Sequence, residues 1–163
     1  MITEYTKKDI SNILYVINDA ALKYKGVIPD KGWHDPYMLE QELFDEFKNG
    51  VHMFGFKNNE KLLGVMGIQK IENVTLIRHA YTLTQYQGTG IGKSLLRYLL
   101  HKNPNACFLV GTWQKATWAI KFYEKFNFVS QSKKQTVQFL NKYWNIPSNQ
   151  IKNSVVLKKS ISK

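Results

Sequence analysis

Three alternating glycines stand where a loop runs into a helix, and this spacing is typical of an anion site. Gly88, Gly90 and Gly92 lie in the stretch TLTQYQGTGIGKSLLRYLL, residues 82–100. Glycines allow a tight turn whose successive N–H groups face a ligand without an intervening side chain. Apolar residues at helical spacing then predict a helix over 91–102, whose first N–H groups and dipole add positive charge. The stretch therefore predicts a phosphate site.

Two common phosphate loops do not fit these residues. The nucleoside-triphosphate loop ends in Gly-Lys-Ser/Thr, as residues 92–94 do, but it requires glycine where Gln87 stands. It also requires a magnesium-binding acid on a later strand, and the only acid after Glu72 is Glu124, which lies in a helical pattern. The dinucleotide pattern fails because Lys93 takes the place of its third glycine. No metal is therefore expected.

The loop instead resembles Q/R-x-x-G-x-G/A, the pyrophosphate-binding signature of the GNAT superfamily of N-acetyltransferases. The matching residues are Gln87, Gly88, Thr89, Gly90, Ile91 and Gly92. A second stretch, AIKFYEKFNF at residues 119–128, is similar to the family's A-I-x-F-Y-E-K-x-G-F helix and strand. The resemblance implies acetyl-CoA (coenzyme A) as acyl donor. It also implies cofactor contacts from Lys93 and Ser94, and from the backbone of Leu83.

The resemblance implies direct attack by an amine, without an acyl-enzyme, and Tyr123 as proton donor to the departing thiolate. A phenol with an ordinary pKa of about 10 is protonated at neutral pH and can donate. The alternative is that Tyr123 only packs, because apolar residues flank it at helical spacing.

The base is harder to identify. The strand predicted over residues 73–83 contains no carboxylate, and His79 is its only side chain of a type that titrates near neutral pH. In a regular strand His79 shares a face with Ile77 and Tyr81. His79 either accepts the amine proton, directly or through water, or is held by a structural hydrogen bond; the sequence leaves both open.

Departures from the family pattern occur at three positions. Thr84 stands where relatives often carry proline, with no clear cost. Ala116 replaces an asparagine that often contacts the cofactor, so that contact is lost or comes from Gln114 or Thr117. Asn127 replaces the glycine of the G-F pair. We expect the turn to survive, because asparagine tolerates the left-handed conformation.

The family resemblance places the acceptor beside the segment between the first two predicted helices and beside the C-terminal segment. These contain aromatic and acidic residues: Tyr24, Trp33, His34, Tyr37, Glu40, Glu42, Asp45, Glu46, Tyr143 and Trp144. Such residues would suit a cationic amine of a small molecule or peptide. The alternative is that the acids are the solvated face of a helix.

Composition agrees with one domain spanning residues 1–163, of which 44% are hydrophobic. No apolar run approaches a membrane span and the N-terminus is polar, so we expect a cytoplasmic protein with no membrane partner. The lone Cys107 excludes an internal disulfide. The sequence leaves the oligomeric state open.

Positive charge is concentrated in the half that holds the glycine loop. Residues 73–163 carry 14 of the 23 Lys and Arg but only 1 of the 12 Asp and Glu. A polyanion such as coenzyme A would be attracted there, and nucleic acid is the competing explanation. A non-catalytic module that binds acyl-CoA or nucleic acid is therefore the alternative function, suggested also by the missing carboxylate base.

The order of predicted elements matches the GNAT fold, an α/β arrangement in which helices flank a mixed, mostly antiparallel sheet. Predicted helices cover residues 8–24, 36–50, 91–102, 115–126 and 134–143. Asp35 is the predicted cap of the second helix. Predicted strands cover residues 1–6, 51–57, 61–72, 73–83, 106–111, 127–132 and 151–158.

Overall fold

The computed structural model of the protein describes residues 1–161. Its centre is a seven-stranded sheet of order β1-β2-β3-β4-β5-β7-β6. The strands are β1 (Ile2–Tyr5), β2 (Val51–Asn58), β3 (Lys61–Ile71), β4 (Val74–Thr82), β5 (Cys107–Trp113), β6 (Val129–Ser130) and β7 (Ser154–Lys159). Only β4 and β5 pair in parallel, so the prediction of a mixed, mostly antiparallel sheet is confirmed.

Six α-helices within residues 1–161 pack on this sheet. They are α1 (Ile10–Ala21), α2 (Glu40–Lys48), α3 (Ile91–Lys102), α4 (Thr117–Glu124), α5 (Lys133–Tyr143) and α6 (Ser148–Lys152). The apolar faces of α1, α2, α3 and α4 contribute to one large core with the central strands. Helix α5 packs Leu140 and Tyr143 onto β4, β5 and β7 in a second cluster. The short α6 was not predicted from the sequence.

Strands β4 and β5 separate part-way along their length, and this separation positions the site. Their pairing runs from Val74 with Cys107 to Ile77 with Val110 and then stops. Beyond it β4 continues to Thr82 and β5 continues to Trp113, while the other edge of β5 stays paired with β7 from Phe108 to Trp113. A gap therefore opens within the sheet, and the glycine loop follows directly from β4.

A β-bulge interrupts β4 at the edge of this gap. The register against β3 shifts between Val65 and Gly67, so that two residues of β4, His79 and Ala80, lie opposite the single residue Met66. His79 lies in the bulge with φ of 52°, in the left-handed region. Bulges re-aim side chains, and this one turns His79 toward α2, on the sheet face opposite to Ile77. The expectation that His79 and Ile77 share a face is therefore wrong.

Helix α2 begins later than predicted. Asp35 and Pro36 lie in the preceding loop, so Asp35 does not cap the helix. The chain is held there by the Asn18 side chain, which bonds to the backbone N–H and C=O of Met38 at 2.8 and 3.1 Å. The helix then starts after Leu39, whose backbone N–H donates to the Glu42 carboxylate at 2.6 Å. Tertiary hydrogen bonds therefore set this boundary.

Candidate active site

Within residues 1–161 the backbone N–H groups of Gly88 and Gly90 in the glycine loop are open, while that of Thr89 between them donates to the Tyr86 carbonyl at 3.4 Å. Gly88 and Gly90 have φ of 79° and 94°, which only glycine adopts without strain. Within residues 1–161 their N–H groups donate to no backbone acceptor. The first bond of α3 runs from Ser94 N–H to the Gly90 carbonyl at 2.9 Å, so the first three N–H groups of the helix are also open. These groups and the positive end of the helix dipole form an anion cradle.

A cavity of about 1010 Å³ occupies the gap between β4 and β5 and extends to this cradle. Six of the predicted cofactor residues line it, namely Gln87, Gly88, Gly90, Ile91, Gly92 and Lys93. The side chain of Gln87 is fixed by its bond to the Thr82 carbonyl at 3.2 Å.

Three other predicted cofactor residues do not line the cavity. Leu83 is buried, and its N–H donates to the Leu63 carbonyl at 2.9 Å while its own carbonyl accepts from Tyr86. The Thr89 hydroxyl donates to the Tyr86 carbonyl at 2.6 Å. Ser94 supplies the first helical bond described above. Their assignment to cofactor binding therefore stays a prediction.

The charge on the cavity wall is positive. None of the Asp and Glu residues within the described part of the chain lines the cavity. Lys93 and Arg97 from α3 and Lys125 from the end of α4 do. With the cradle, these cations fit a ligand that carries several phosphates, as coenzyme A does. Within residues 1–161, no group of three or more His, Cys, Asp or Glu side chains is arranged to hold a metal ion.

Tyr123 places its ring in the core and its hydroxyl at the cavity. The residue is 5% exposed, and its ring packs edge-on and tilted against Phe122 and Phe128. Among the described residues the Tyr123 hydroxyl has no hydrogen-bond partner. Every fully buried side-chain polar atom in that part of the chain does have one, so the Tyr123 hydroxyl is not fully buried. It is therefore open to the cavity that Tyr123 lines. Burial, with repulsion from a charged Tyr24, raises the pKa of Tyr123. The phenol therefore keeps its proton at neutral pH.

His79 lies in an ion-pair network with α2. Its Nε2 is 2.8 Å from Oε2 of Glu46, and Nη2 of Arg78 is 2.8 Å from the same oxygen. Burial alone would raise the pKa of the Glu46 carboxyl. Hydrogen bonds and positive charge from His79 and Arg78 outweigh burial and hold that pKa below its ordinary value. Glu46 is therefore a carboxylate at neutral pH.

Sequence reasoning singled out Glu46 only as one acid among several on α2. Helical spacing carried the missing signal: Glu46 lies three residues after the buried Leu43 and beside Phe47, on the inner face. The other acids have local roles or none. Glu42 caps the helix, Asp45 accepts a bond from Gln41, and Glu40 is exposed.

Aromatic rings from separate elements form one wall of the cavity, which we call the aromatic wall. It comprises Tyr24, Tyr37, Tyr81 and Trp118. The Tyr24 ring lies 5.2 Å from that of Trp118 and 6.3 Å from that of Tyr81, centroid to centroid, and Tyr37 lies 6.4 Å from Tyr81.

Of the remaining aromatic residues proposed for the acceptor side, some line the cavity and others lie outside its lining. Trp33 stacks on Tyr37 outside the cavity lining, and Trp144 lies within it. His34 is exposed, with Nδ1 at 2.6 Å from the Pro36 carbonyl. Tyr143 is buried in the second core cluster, away from the cavity lining.

Comparison with known proteins identifies the family to which this fold and this cavity belong. Residues 49–130 match the family model described as Acetyltransferase (GNAT) domain. The chain belongs to this family, and acetyl transfer is its class of activity. No curated protein sequence matches the chain at a significant level. Within residues 1–161, no helix has the length and apolar character needed to cross a membrane.

Solved structures share the fold at low identity. The PaiA N-acetyltransferase of Thermoplasma acidophilum, in complex with coenzyme A, is 16% identical, with a TM-score of 0.72 and 98% of each chain covered. The ribosomal-protein-S18-alanine N-acetyltransferase of Escherichia coli is 14% identical, with a TM-score of 0.69, covering 100% of this chain and 94% of that one. An N-acetyltransferase of Staphylococcus aureus Mu50 is 20% identical, with a TM-score of 0.66, covering 99% and 98%. At these identities the likeness concerns the fold.

Proposed function

We propose that this chain transfers the acetyl group of acetyl-CoA to a primary amine of a small molecule or peptide by direct attack. The observation that carries the proposal is that one cavity joins the N–H cradle to the hydroxyl of Tyr123 and to His79. When bound, acetyl-CoA supplies an activated acetyl group: the amine nitrogen bonds to the carbonyl carbon as the carbon–sulfur bond breaks, giving an amide and a thiol.

The glycine loop is the proposed holding site. The open N–H groups of Gly88, of Gly90 and of the first turn of α3 would bind the pyrophosphate oxygens. Lys93, Arg97 and Lys125 add positive charge along the same part of the cavity. This role accounts for part of the positive charge in the second half of the sequence without invoking nucleic acid.

Tyr123 is the proposed donor to the leaving sulfur. Its packed ring fixes the hydroxyl at the cavity, and its raised pKa keeps the phenol protonated at neutral pH, so that the O–H can donate to the sulfur as negative charge develops there. The packing role and the catalytic role are therefore compatible, since they use different parts of the side chain.

His79 is the proposed acceptor of the amine proton, and Glu46 determines which ring nitrogen does this. Because Glu46 is ionised, it accepts from Nε2–H of His79, and in the neutral form of the ring, the form that can act as a base, the lone pair lies on Nδ1. Nδ1 has no hydrogen-bond partner among the described residues and belongs to a side chain that lines the cavity. It can take the proton directly or through a water molecule. The ion pair with Glu46 thus supports a histidine base where the strand lacks a carboxylate.

Two measurements test the proposal together. Saturating acetyl-CoA should raise the melting temperature by on the order of 5 °C, because a ligand that binds only the native state stabilises it. Mg-ATP should protect much less, and equal protection would contradict the assignment of the loop. Thiol release from acetyl-CoA in the presence of amines then separates the enzyme from a non-catalytic binding module, which would be protected by acetyl-CoA but would release no thiol.

A further inference from the structure

The aromatic wall carries no negative charge at neutral pH. Burial, with repulsion from a charged Tyr37, raises the pKa of Tyr24 to about 12. Burial also raises the pKa of Tyr37 and of Tyr81. All three phenols are therefore neutral, and the wall offers flat apolar surface with hydroxyl groups.

Among the described residues no carboxylate in the cavity lining compensates for a cation beside this wall. The charge of Glu42 acts on Tyr37, but Glu42 lies outside the lining and accepts the N–H of Leu39 at 2.6 Å. Within residues 1–161, the charged side chains that line the cavity are all basic. The acid nearest to the bulge, Glu46, is already shared between Arg78 and His79. The ammonium of Lys23 lies 4.8 Å from the centroid of the Trp118 ring. The Trp118 ring of the aromatic wall is therefore already in a cation–π contact with a side chain of the protein.

These features restrict the acceptor. A polyamine or a lysine-rich peptide would bring a second ammonium group beside Arg78 and Lys23 with no carboxylate to pair it, and burying an unpaired charge is costly. A single amine avoids this cost, because it has to lose its proton before it attacks. An aromatic ring on the acceptor could pack edge-on or offset against Tyr24, Tyr37 and Tyr81.

We propose that the acceptor is a small monoamine that carries an aromatic ring, bound against the aromatic wall. This inference rests on the proposed function, and it assigns the aromatic wall as the acceptor subsite. It excludes polyamines and basic peptides as preferred acceptors.

Three amines separate the contributions when thiol release is measured with saturating acetyl-CoA. Hexylamine and 1,6-diaminohexane differ only in the second charge, and 2-phenylethylamine adds the ring. We expect kcat/KM for 2-phenylethylamine to exceed that for hexylamine by on the order of tenfold, and 1,6-diaminohexane to be poorer than hexylamine. A preference for 1,6-diaminohexane would overturn this inference while leaving the proposed function intact. Acetylation of none of the three, or of any wider amine panel, would overturn both.

A charge placed in the wall should reverse the selectivity. Thr112 of β5 lines the cavity, as Tyr24 does, and lies close enough to that phenol to affect its pKa. Thr112→Asp should raise kcat/KM for 1,6-diaminohexane relative to hexylamine by about tenfold, the effect of roughly 1.4 kcal/mol. Thr112→Asn, of the same size without the charge, should leave the ratio unchanged. Equal ratios in both variants, with acetyl-CoA affinity retained in calorimetry, would overturn the inference.

Removal of one ring gives a second test that does not depend on the charged variant folding. Tyr37→Leu should raise KM for 2-phenylethylamine by on the order of tenfold and leave KM for hexylamine nearly unchanged. Tyr37→Phe, which keeps the ring, should retain the wild-type preference. Tyr15→Leu is the matched control, because Tyr15 is 63% exposed on α1 and lies outside the cavity lining. A loss that is equal for the two amines in Tyr37→Leu would overturn the assignment of the wall.

Discussion

The Glu46 carboxylate holds the imidazole of His79 through a 2.8 Å contact between Oε2 and Nε2. The same oxygen lies 2.8 Å from Nη2 of Arg78, whose other terminal nitrogen donates to Gln69 at 2.7 Å. The Gln69 amide in turn donates to the Asn49 carbonyl at 2.9 Å, just after α2. The end of α2 is thereby tied to the bulge of β4 through His79 itself and through the preceding Arg78, so the orientation of His79 depends on a helix distant in sequence.

Glu46→Gln should lower turnover because the amide cannot hold the His79 tautomer by charge. If His79 is the base, kcat should fall by roughly tenfold, a fraction of the usual effect of general base catalysis. The affinity for acetyl-CoA should stay near wild type, because Glu46 does not line the cavity. Steady-state kinetics and calorimetry measure the two quantities. Glu40→Gln, on the exposed side of the same helix, controls for loss of a carboxylate. Wild-type turnover in Glu46→Gln would leave His79 in a structural role only.

Glu46 should also make stability depend on pH in the acid range. A glutamate of the unfolded chain titrates near its ordinary pKa of about 4.3, and the pKa of Glu46 is lower in the folded protein. Its contribution to the free energy of unfolding is therefore fully present above about pH 4.3 and is lost as the pH falls through the folded pKa. Urea unfolding between pH 5 and pH 3.5 should show a difference between wild type and Glu46→Gln that shrinks as the pH falls. A difference that grows over this acid range would contradict the ion-pair network.

Tyr123→Phe removes one hydroxyl and keeps the packed ring. If the phenol donates to the leaving sulfur, turnover should fall by on the order of a hundredfold while acetyl-CoA affinity changes little. Because burial raises the pKa of Tyr123, the alkaline limb of the wild-type pH–rate profile should not arise from this group and should persist in the variant. Tyr98→Phe is the control, since Tyr98 is half-buried against Phe54 and lies outside the cavity lining. Unchanged turnover in Tyr123→Phe, with chemistry rate-limiting, would assign the residue to packing alone.

Features set by local chemistry were predictable from the sequence. The glycine spacing and the apolar periodicity of α3 predicted the loop and its helix, both of which the structure contains. Asn127 has φ of 64°, the left-handed conformation expected where the family has glycine. These features depend on residues close together in the chain, so the sequence alone carries the information.

Features set by pairing between distant segments were not predictable. The bulge at His79 depends on the register between β3 and β4, which no local pattern specifies. The start of α2 depends on Asn18, about twenty residues earlier in the chain. The pairing of Glu46 with His79 depends on both the bulge and the position of α2. It forms only if the inner face of α2 lies next to the bulge of β4.

Gly90→Ala tests the anion cradle, and Gly50→Ala is its control because both substitutions place alanine in the left-handed conformation. Gly90 and Gly50 have φ of 94° and 87°, and a Cβ added at either would meet no atom within 4 Å. Alanine at either position should therefore cost about 1–2 kcal/mol through the left-handed conformation alone, measurable by urea unfolding. Gly50 lies between α2 and β2, outside the cavity lining, so Gly50→Ala should bind acetyl-CoA like wild type.

Only Gly90→Ala should also weaken the binding of acetyl-CoA. Gly90 lines the cavity and precedes the open first turn of α3, so a methyl group there crowds the approach of a phosphate to the backbone and biases the loop away from its left-handed turn. We expect an affinity loss on the order of tenfold or more in calorimetry, equivalent to about 1.4 kcal/mol of binding free energy. The loss should exceed any change in Gly50→Ala at the same temperature, well below both melting points. Equal affinity in the two variants, with both folded, would mean that the phosphates bind elsewhere in the cavity and that Lys93, Arg97 and Lys125 hold them without the cradle.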